Sequence, residues 1–352
     1  MVRAAAIASA ILAIPASASA STPQPLRDVA PLGTHFKDRV FTSGSGSARA
    51  ALSGEFKSYL TKEGTSVAAA ISDRYGDQLR TDVVQSYVDF LDSLTHGPEL
   101  ATLRIYIAPP EEVLSECGGL EGTLACYDSR TQVMTVPGEE PDTGSSGVTT
   151  SYVVAHEYGH HIAASRSNEP FNPFAFGPKY WSSYELVCDR AQKRLLAPGD
   201  ENKFYRQNPG EGWAETYAQL KYPGIEWMYD PIMKPDAGAF AAATRDVLDP
   251  WQGGVTKTYK GTFGKSGSNT RRFGLNLTLD GRFRLRLSGP RGSNYNVIAI
   301  SGDRRSQTRN AGSRDTLAFD AVCREQQTER VSLVVKRVKG SGPFTMKVSY
   351  AG

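Results

Sequence analysis

The spacing of apolar positions changes along the chain, which predicts two regions of different secondary structure. From Ala48 to about Leu94 the apolar residues recur at helical spacing, as in Leu52, Phe56 and Leu60, and this predicts two or three helices. Two short β-rich runs bounded by Pro and Gly predict strands at 103–108 and 132–136. Further helices are expected at about 147–165, 180–196, 211–220 and 236–247. This mixture indicates an α+β region over residues 48–250.

The last hundred residues follow a period of two, which is typical of strands with one buried face. Apolar and polar residues alternate through 273–279 and again through 283–287. Asp280-Gly281 between these runs is a strong signal of a hairpin turn. Further short runs are expected to be strands at 295–300, 316–322, 331–336 and 344–350. We therefore predict an all-β sandwich domain over residues 255–352.

The first twenty residues carry the three parts of a secretory signal peptide. Arg3 provides the positive start, an apolar run follows, and Ala18-Ser19-Ala20 is a small-residue cleavage signature. No later apolar run approaches the ~18 residues that a transmembrane helix needs. We therefore expect a secreted, extracellular protein without a transmembrane segment. Residues 21–47 are rich in Gly, Ser and Pro, which predicts a flexible leader.

Export gives the four cysteines a structural meaning, because disulfides persist in oxidising compartments. The chain contains Cys117, Cys126, Cys188 and Cys323, none of them in a CxxC pair, so a zinc site made of cysteines is not expected. Three pairings are possible. We favour Cys117–Cys126, which closes a Gly-rich loop, together with Cys188–Cys323, which ties the middle of the chain to its C-terminal part.

Charge divides the chain at the same place as the apolar pattern. The whole chain has a formal net charge of +3, but residues 255–352 hold 19 Lys and Arg against 6 Asp and Glu, a net of +13. The preceding residues carry a net charge of −10. Opposite signs favour two domains with different partners over one uniform body.

The segment VVAHEYGHH at residues 153–161 is the most informative in the chain. His156 and His160 are four residues apart, so in a helix they lie one above the other on the same face. This spacing lets two imidazoles reach one metal ion at ~2.0–2.1 Å, and Glu157 can then touch a water bound to that ion. The pattern is the HExxH arrangement of zinc hydrolases. Three of the five histidines fall in this window, which argues against a chance match.

A third metal ligand must come from elsewhere in the chain. The metzincin spacing would need Gly and His where this chain has Ala163 and Arg166. The remaining histidines, His35 and His96, both lie upstream. A downstream carboxylate is therefore expected, which would give two His and one Glu around the metal and leave a fourth position open for water.

Two downstream segments offer a pair of acids one helical turn apart. NPGEGWAE contains Glu211 and Glu215, and YELVCD contains Glu185 and Asp189. In either segment the first acid could bind the metal while the second orients a ligating His.

HEYGH followed by EGWAE resembles the gluzincin branch of the zincin metallopeptidases. Those enzymes often take their third ligand from the first Glu of an NEGFAE-like or EFFAE-like helix. The resemblance covers about residues 150–220, and it implies a zincin-like catalytic domain over 48–250 that holds one zinc ion per chain. It assigns the metal ligands to His156, His160 and Glu211, the general base to Glu157, and an acid supporting a ligand to Glu215.

Similarity to zincins in which an ELxAD segment supplies the ligand favours Glu185 instead, because its stretch reads ELVCD. We prefer Glu211 since the match of its segment extends through Trp213, Ala214 and Glu215.

The resemblance implies metal-assisted hydrolysis of peptide bonds. Zinc lowers the pKa of its bound water towards ~7 and polarises the scissile carbonyl, while Glu157 takes the proton of the water and delivers one to the leaving amine. The resulting oxyanion needs a further hydrogen-bond donor. Tyr205, six residues before Glu211, is our candidate for that donor, and Tyr217 and His161 stay open.

Arg282, Arg284 and Arg286 alternate with apolar residues, so their side chains are expected on one outward face. Such a face is most often only a solvated surface. Its functional interpretation is attraction to an anionic cell-surface polymer. Few aromatic residues interleave with these arginines, so no specific nucleic-acid recognition is expected. The short segment GPFTMKV at 342–348 resembles the C-terminal β-sandwich domains appended to secreted bacterial peptidases.

The leading hypothesis is a secreted zinc endopeptidase that acts on a protein or peptide substrate. The main alternative is a non-catalytic protein that binds a surface or polyanion and uses zinc only to stabilise its fold. Glu157 argues against this alternative, because a structural metal site needs no general base. A zinc amidase acting on cell-wall peptides is also compatible with the motif.

Overall fold

The computed structural model describes residues 22–42, 52–76, 81–140 and 147–352. The predicted signal peptide at 1–20 lies outside the described residues, as does the end of the predicted leader. None of the described helices is long and apolar enough to cross a membrane. A mixed sheet with helices extends to residue 248, and a region resembling a β-sandwich follows from residue 255.

Six strands of the described residues form the N-terminal sheet. They are β1 Lys37–Phe41, β2 Lys57–Leu60, β3 Ser66–Ile71, β4 Arg104–Ala108, β5 Thr123–Asp128 and β6 Val133–Pro137. Their order is β1-β5-β6-β4-β3-β2. β3, β4 and β6 are parallel neighbours, whereas β5 runs antiparallel to β6. β1 pairs parallel with β5 and so forms one edge of the sheet.

Eight α-helices of the described residues precede residue 249. They are α1 Thr81–Asp92, α2 Pro110–Glu116, α3 Thr150–Ala164, α4 Pro173–Phe176, α5 Lys179–Tyr184, α6 Val187–Gln192, α7 Pro209–Lys221 and α8 Ala237–Leu248. α3 packs against β5 and β6 on one side and α7 on the other. It is therefore buried along almost its whole length, and its polar side chains, among them His156, Glu157 and His160, are buried with it.

Several sequence predictions for this region are confirmed. The predicted strands at 103–108 and 132–136 are β4 and β6, and the long helix predicted at 147–165 is α3. α7 and α8 lie where helices were expected. The helix predicted at 180–196 is broken into α5 and α6, because Leu186 adopts the left-handed conformation with φ 52°.

The predicted flexible leader and the first predicted helix are corrected by the structure. Within the leader, residues 37–41 form β1, because their backbone pairs with β5, and Asp38, Val40 and Phe41 are buried there. The polar average composition of the segment does not indicate this strand. β2 and β3 occupy part of the region where helical spacing was found. Leu60 is 62% exposed, so its spacing from Phe56 was a coincidence and not a buried helix face.

Eight strands form the C-terminal region. They are β7 Val255–Phe263, β8 Thr270–Leu277, β9 Gly281–Ser288, β10 Asn294–Ser301, β11 Arg304–Gln307, β12 Arg314–Val322, β13 Glu329–Lys339 and β14 Gly342–Tyr350. They make two sheets, ordered β11-β10-β13-β8 and β12-β9-β14-β7. Apolar residues from both sheets share one core, which is the packing expected of a β-sandwich.

The predicted Asp280-Gly281 hairpin is wrong. β8 pairs with β13 and β9 pairs with β12 and β14, so the chain crosses between the two sheets at this turn. Asp280 is buried, and its carboxylate accepts a hydrogen bond from the Arg324 guanidinium at 3.0 Å. Asp-Gly is typical of a tight turn between paired strands. Here, packing in the core and the buried Asp280–Arg324 ion pair determine which strands pair.

Both favoured disulfides are present, Cys117–Cys126 and Cys188–Cys323. The second joins α6 to the chain just after β12 and so links the helical region to the C-terminal region. Lys179 reinforces the same joint, because its buried ammonium donates to the Asp280 carbonyl at 2.9 Å.

Gly159 sets the distance between α3 and α7. A Cβ atom at this position would lie 2.8 Å from the Ala214 Cα, a backbone atom that cannot easily move. In the same contact the Trp213 indole donates to the Gly159 carbonyl at 2.8 Å. The absence of a side chain therefore allows the two helices to approach closely.

Gly159→Ala should lower the free energy of unfolding by about 1–3 kcal/mol, because the added methyl group overpacks the contact between α3 and α7. Gly212→Ala on α7 is the matched control, since its Cβ would meet the flexible side chain of Met233 at 3.0 Å and the Trp181 ring only at an ordinary contact distance of 3.6 Å. Denaturant unfolding measures both variants. Equal stability of the two variants would contradict this account of the contact.

Candidate metal centre

α3 brings His156 and His160 to one buried face. The helix begins behind Thr149, whose hydroxyl accepts the Tyr152 N–H at 3.3 Å. One turn separates the two imidazoles, and their rings lie edge to face at 5.1 Å. Their side chains are 0% and 1% exposed.

α7 brings Glu211 to the same place. The helix is capped by Asn208, whose side-chain oxygen accepts the Gly210 N–H at 3.1 Å, and Pro209 occupies the first turn. The Glu211 carboxylate is fully buried, and its Oε2 lies 3.4 Å from His156 Nε2 and 3.5 Å from His160 Nε2. The structure thus brings together the three residues that the sequence favoured as ligands.

Asp38 is a fourth member of this cluster, and sequence reasoning missed it. Its Oδ2 lies 3.0 Å from His160 Nε2 and 3.5 Å from His156 Nε2. The residue comes from β1, in the segment predicted to be a flexible leader. The apolar residues next to it are Phe36, Val40 and Phe41, and a run this short does not predict a strand.

The four side chains have the spacing of a metal cage. Asp38, His156, His160 and Glu211 offer ligand atoms that all lie within 4.8 Å of one another, so the group could hold a metal ion. A tetrahedron with bonds of ~2.0–2.1 Å has edges of about 3.3 Å. The four distances above, 3.0 to 3.5 Å, are close to that length. Two imidazole nitrogens and two carboxylate oxygens are also a ligand set typical of transition metals, whereas Ca²⁺ and Mg²⁺ are bound mainly by oxygen atoms.

Glu157 lies beside the cage without belonging to it. Its side chain is fully buried, and neither carboxylate oxygen has a hydrogen-bond partner among the described residues. A buried carboxylate without partners is costly and therefore needs an explanation. A water held between this carboxylate and a metal ion would supply the missing partner.

Glu215 supports the cage from behind, one turn after Glu211. Its Oε2 lies 3.3 Å from His156 Nδ1, the ring nitrogen that faces away from the cage. The Tyr152 hydroxyl donates to the other carboxylate oxygen at 2.7 Å. This contact holds the orientation of the His156 ring, as an acid behind a metal-bound His commonly does.

Two tyrosines close the cluster on another side. The Tyr205 hydroxyl donates to Asp38 Oδ1 and lies 3.1 Å from the Tyr229 hydroxyl. Tyr229, which sequence reasoning missed, donates to Glu211 Oε2 at 3.2 Å and stacks on the His156 ring. The structure thus places Tyr205 beside the cage.

Other residues considered from the sequence lie away from the cage. Glu185 accepts a hydrogen bond from Arg190 at 2.8 Å and does not join the cluster. The Tyr217 hydroxyl donates to the Thr95 carbonyl, and His161 lies 2.9 Å from the Tyr127 hydroxyl.

The arginines on β9 lie far along the chain from the cage. Arg282, Arg284 and Arg286 alternate with buried residues and are all exposed, as expected from their spacing. Arg282 also forms an ion pair with Glu169 at 3.2 Å.

The buried charges of the cluster shift one another's pKa values. Burial lowers the pKa of His160, but the nearby Glu211 and Asp38 carboxylates outweigh it and raise that pKa to about 10. Burial would raise the pKa of Asp38, yet its hydrogen bonds with His156 and His160 hold it well below the usual range. Burial, together with the charge of Asp38, raises the pKa of Glu157.

Comparisons with known proteins add little to this geometry. No protein-family model matches the chain, and no curated protein does. Among solved structures, the chain is similar to the pre-peptidase C-terminal domain of a collagenase from Bacillus anthracis, with 14% identity and a TM-score of 0.23 over 27% of this chain and 89% of that one. It is also similar to FLHE, with 16% identity and a TM-score of 0.17 over 28% of this chain and 99% of that one. Both likenesses are too weak to carry an argument.

Metal binding should release about one or two protons at pH 7.5, because a ligating His must be neutral and the pKa of His160 is about 10 without metal. Apparent affinity should therefore fall by about tenfold for each displaced proton as the pH falls by one unit. Calorimetric titration with zinc in buffers of different ionisation enthalpy measures the release. His35→Gln changes an exposed residue outside the cage and should leave the number of released protons unchanged. Zinc binding without proton release would contradict the cage.

Proposed function

We propose that the chain is a secreted, zinc-dependent peptidase of the gluzincin type, with one zinc ion held by His156, His160 and Glu211. The observation that carries the proposal is the Glu157 carboxylate, buried beside the cage with both oxygens free of partners among the described residues. A site that only stabilised the fold would not require this carboxylate, whereas hydrolysis requires a base at this position.

Zinc in this cage would supply Lewis-acid chemistry, polarising a scissile carbonyl and acidifying a water. The roles of the side chains then follow from their positions. Glu157 takes a proton from the attacking water and delivers a proton to the leaving amine. Tyr205 and Tyr229 are the hydroxyl donors beside the cage, and either can stabilise an oxyanion once a substrate is bound. Glu215 holds His156 in its ligating orientation.

Secretion is supported by the signal sequence and by the two disulfides, which are compatible with an extracellular protein. Protein or peptide substrates fit the motif best. The motif is also compatible with an amidase acting on cell-wall peptides.

One observation favours a second candidate, a non-catalytic protein with a structural zinc. Asp38 completes four protein ligands, and closed four-ligand sites are typical of structural zinc. In that case Asp38 would be a permanent ligand and Glu157 would have no role. The two candidates therefore differ in what replacement of Glu157 does.

Glu157→Gln should abolish hydrolysis of a casein-like substrate and keep zinc bound, because it removes the base and leaves the four cage residues intact. Removing a general base typically costs about 10²–10⁴-fold in rate. Glu185→Gln is the matched control, the same change at a buried carboxylate outside the cage. Zinc content and turnover are measured together. Wild-type turnover in the Glu157 variant would exclude this mechanism.

We also propose that the basic face of β9 attracts an anionic cell-surface polymer. Arg284 and Arg286 are exposed, and Lys347 on the neighbouring β14 is directly opposite Arg286. The region around them has a net charge of +13. A dense positive face of this kind attracts polyanions through an electrostatic field that salt screens.

Replacement of Arg282, Arg284 and Arg286 by Gln should weaken binding to a polyanion such as heparin, so that the protein elutes at lower salt. Small-peptide hydrolysis should stay near the wild-type rate, since all three side chains lie outside the cage. Gln at Arg330, Lys336 and Lys339 on the opposite sheet is the control for net charge. Equal elution of the two triple variants would show that net charge, and not this face, determines binding.

A further inference from the structure

The proposed catalytic centre is closed to solvent. Asp38 is 4% exposed, His160 is 1% exposed, and His156, Glu157 and Glu211 are 0% exposed. Hydrolysis requires that a peptide and a water reach the metal and the base. A part of the chain that covers the centre must therefore move before a substrate can bind.

The segment 22–42 covers the cage on one side, and its strand β1 pairs with β5. Phe36 packs edge-on against the His156 ring, with the ring centroids 5.2 Å apart. Two residues further on, the Asp38 carboxylate contacts both imidazoles. The segment is anchored on either side, by the Thr34 hydroxyl on the Glu226 carbonyl and by the Val40 N–H on the Glu201 carboxylate.

β1 also occupies an edge of the sheet. Without it, β5 would be the outer strand next to α3, and its outward N–H and C=O groups would be unpaired. An extended peptide commonly binds such an edge by adding a strand to the sheet. Asp38 is opposite Ala125 in this pairing, so a peptide on the β5 edge would pass directly over the cage.

Asp38 fills the position that a catalytic site leaves open. Catalytic zinc sites have three protein ligands and keep the fourth position for water or substrate. Removal of Asp38 from the cage leaves His156, His160 and Glu211, with Glu157 beside the vacated position. Asp38 presents a carboxylate in place of a scissile amide, so the segment can occupy the centre without being a substrate there.

We propose that residues 22–42 are an autoinhibitory segment, in which Asp38 caps the metal and β1 blocks the peptide-binding edge of β5. This inference rests on the proposed peptidase function, because it concerns the regulation of the same centre. Release of the segment would open the fourth ligand position and the sheet edge together.

Asp38→Ala in the full chain tests the cap directly, with a readout that does not depend on turnover. The probe is acetohydroxamate, a small chelator, added to protein loaded with cobalt(II), whose visible spectrum reports a change of ligands. Wild-type protein should bind acetohydroxamate at least tenfold more weakly than the variant. Asp28→Ala is the matched control, because Asp28 lies in the same segment but pairs with Lys221 and not with the cage. It should behave as wild type does.

Each result has a distinct meaning. A folded Asp38→Ala protein that loses the metal, or that binds acetohydroxamate no better than wild type, would overturn the inference, since Asp38 would then be a permanent structural ligand or no barrier. Tighter acetohydroxamate binding without hydrolysis of casein-like or cell-wall peptides would support the cap and contradict the proposed function.

A second variant of the chain tests the same inference if Asp38→Ala does not fold. A recognition sequence for a site-specific protease replaces residues 43–51, and the chain is cut after folding. Separation of the released segment should increase acetohydroxamate binding at least tenfold, and a synthetic peptide of residues 22–42 should reverse the gain. The same peptide with Asn at position 38 should reverse it far less. A segment that cannot be separated, or a site that stays closed after separation, contradicts the inference.

Discussion

Buried negative charge is the constraint on which the rest of this structure depends. Asp38, Glu157 and Glu211 share a space without solvent, and Glu215 lies directly behind it. Such a group of carboxylates is strongly unfavourable in a protein interior unless cations or protons compensate it. Two protonated imidazoles supply two positive charges, and a divalent cation bound to the same imidazoles in their neutral form would supply the same number. Burial raises the pKa of Glu157 and so favours its uncharged form. The remaining carboxylates explain why Asp38, His156, His160 and Glu211 form a group that could hold a metal ion.

Two helices and one strand position the four side chains of this cage. α3 and α7 approach closely at Gly159, which brings the side chains of His156, His160 and Glu211 around one point. Asn208 caps the N-terminus of α7, and this start of the helix places Glu211 in its first turn. β1 then adds Asp38, the fourth side chain of the cage, from the N-terminal part of the chain. The cage thus assembles elements from distant parts of the chain, and the same strand that completes it also closes it to solvent.

The sequence contained the two helical motifs of the site, because both are local. HEYGH places two imidazoles one turn apart, and EGWAE places two acids one turn apart, so the backbone period alone predicts each pair. Asp38 could not be predicted, since a parallel strand at a sheet edge is defined by its neighbour β5 and not by its own residues. The Asp280-Gly281 turn failed for the same reason: strand pairing across two sheets is decided by contacts distant in sequence.

The most direct test of this account is zinc K-edge absorption spectroscopy on the full-length protein. The account predicts one zinc ion per chain, with four nitrogen or oxygen ligands at about 2.0–2.1 Å, two of them imidazoles and none of them sulfur. Asp38→Ala should replace one protein oxygen by a water oxygen and keep both imidazoles. A protein that binds no zinc, or a zinc ion without two imidazole ligands, would contradict it.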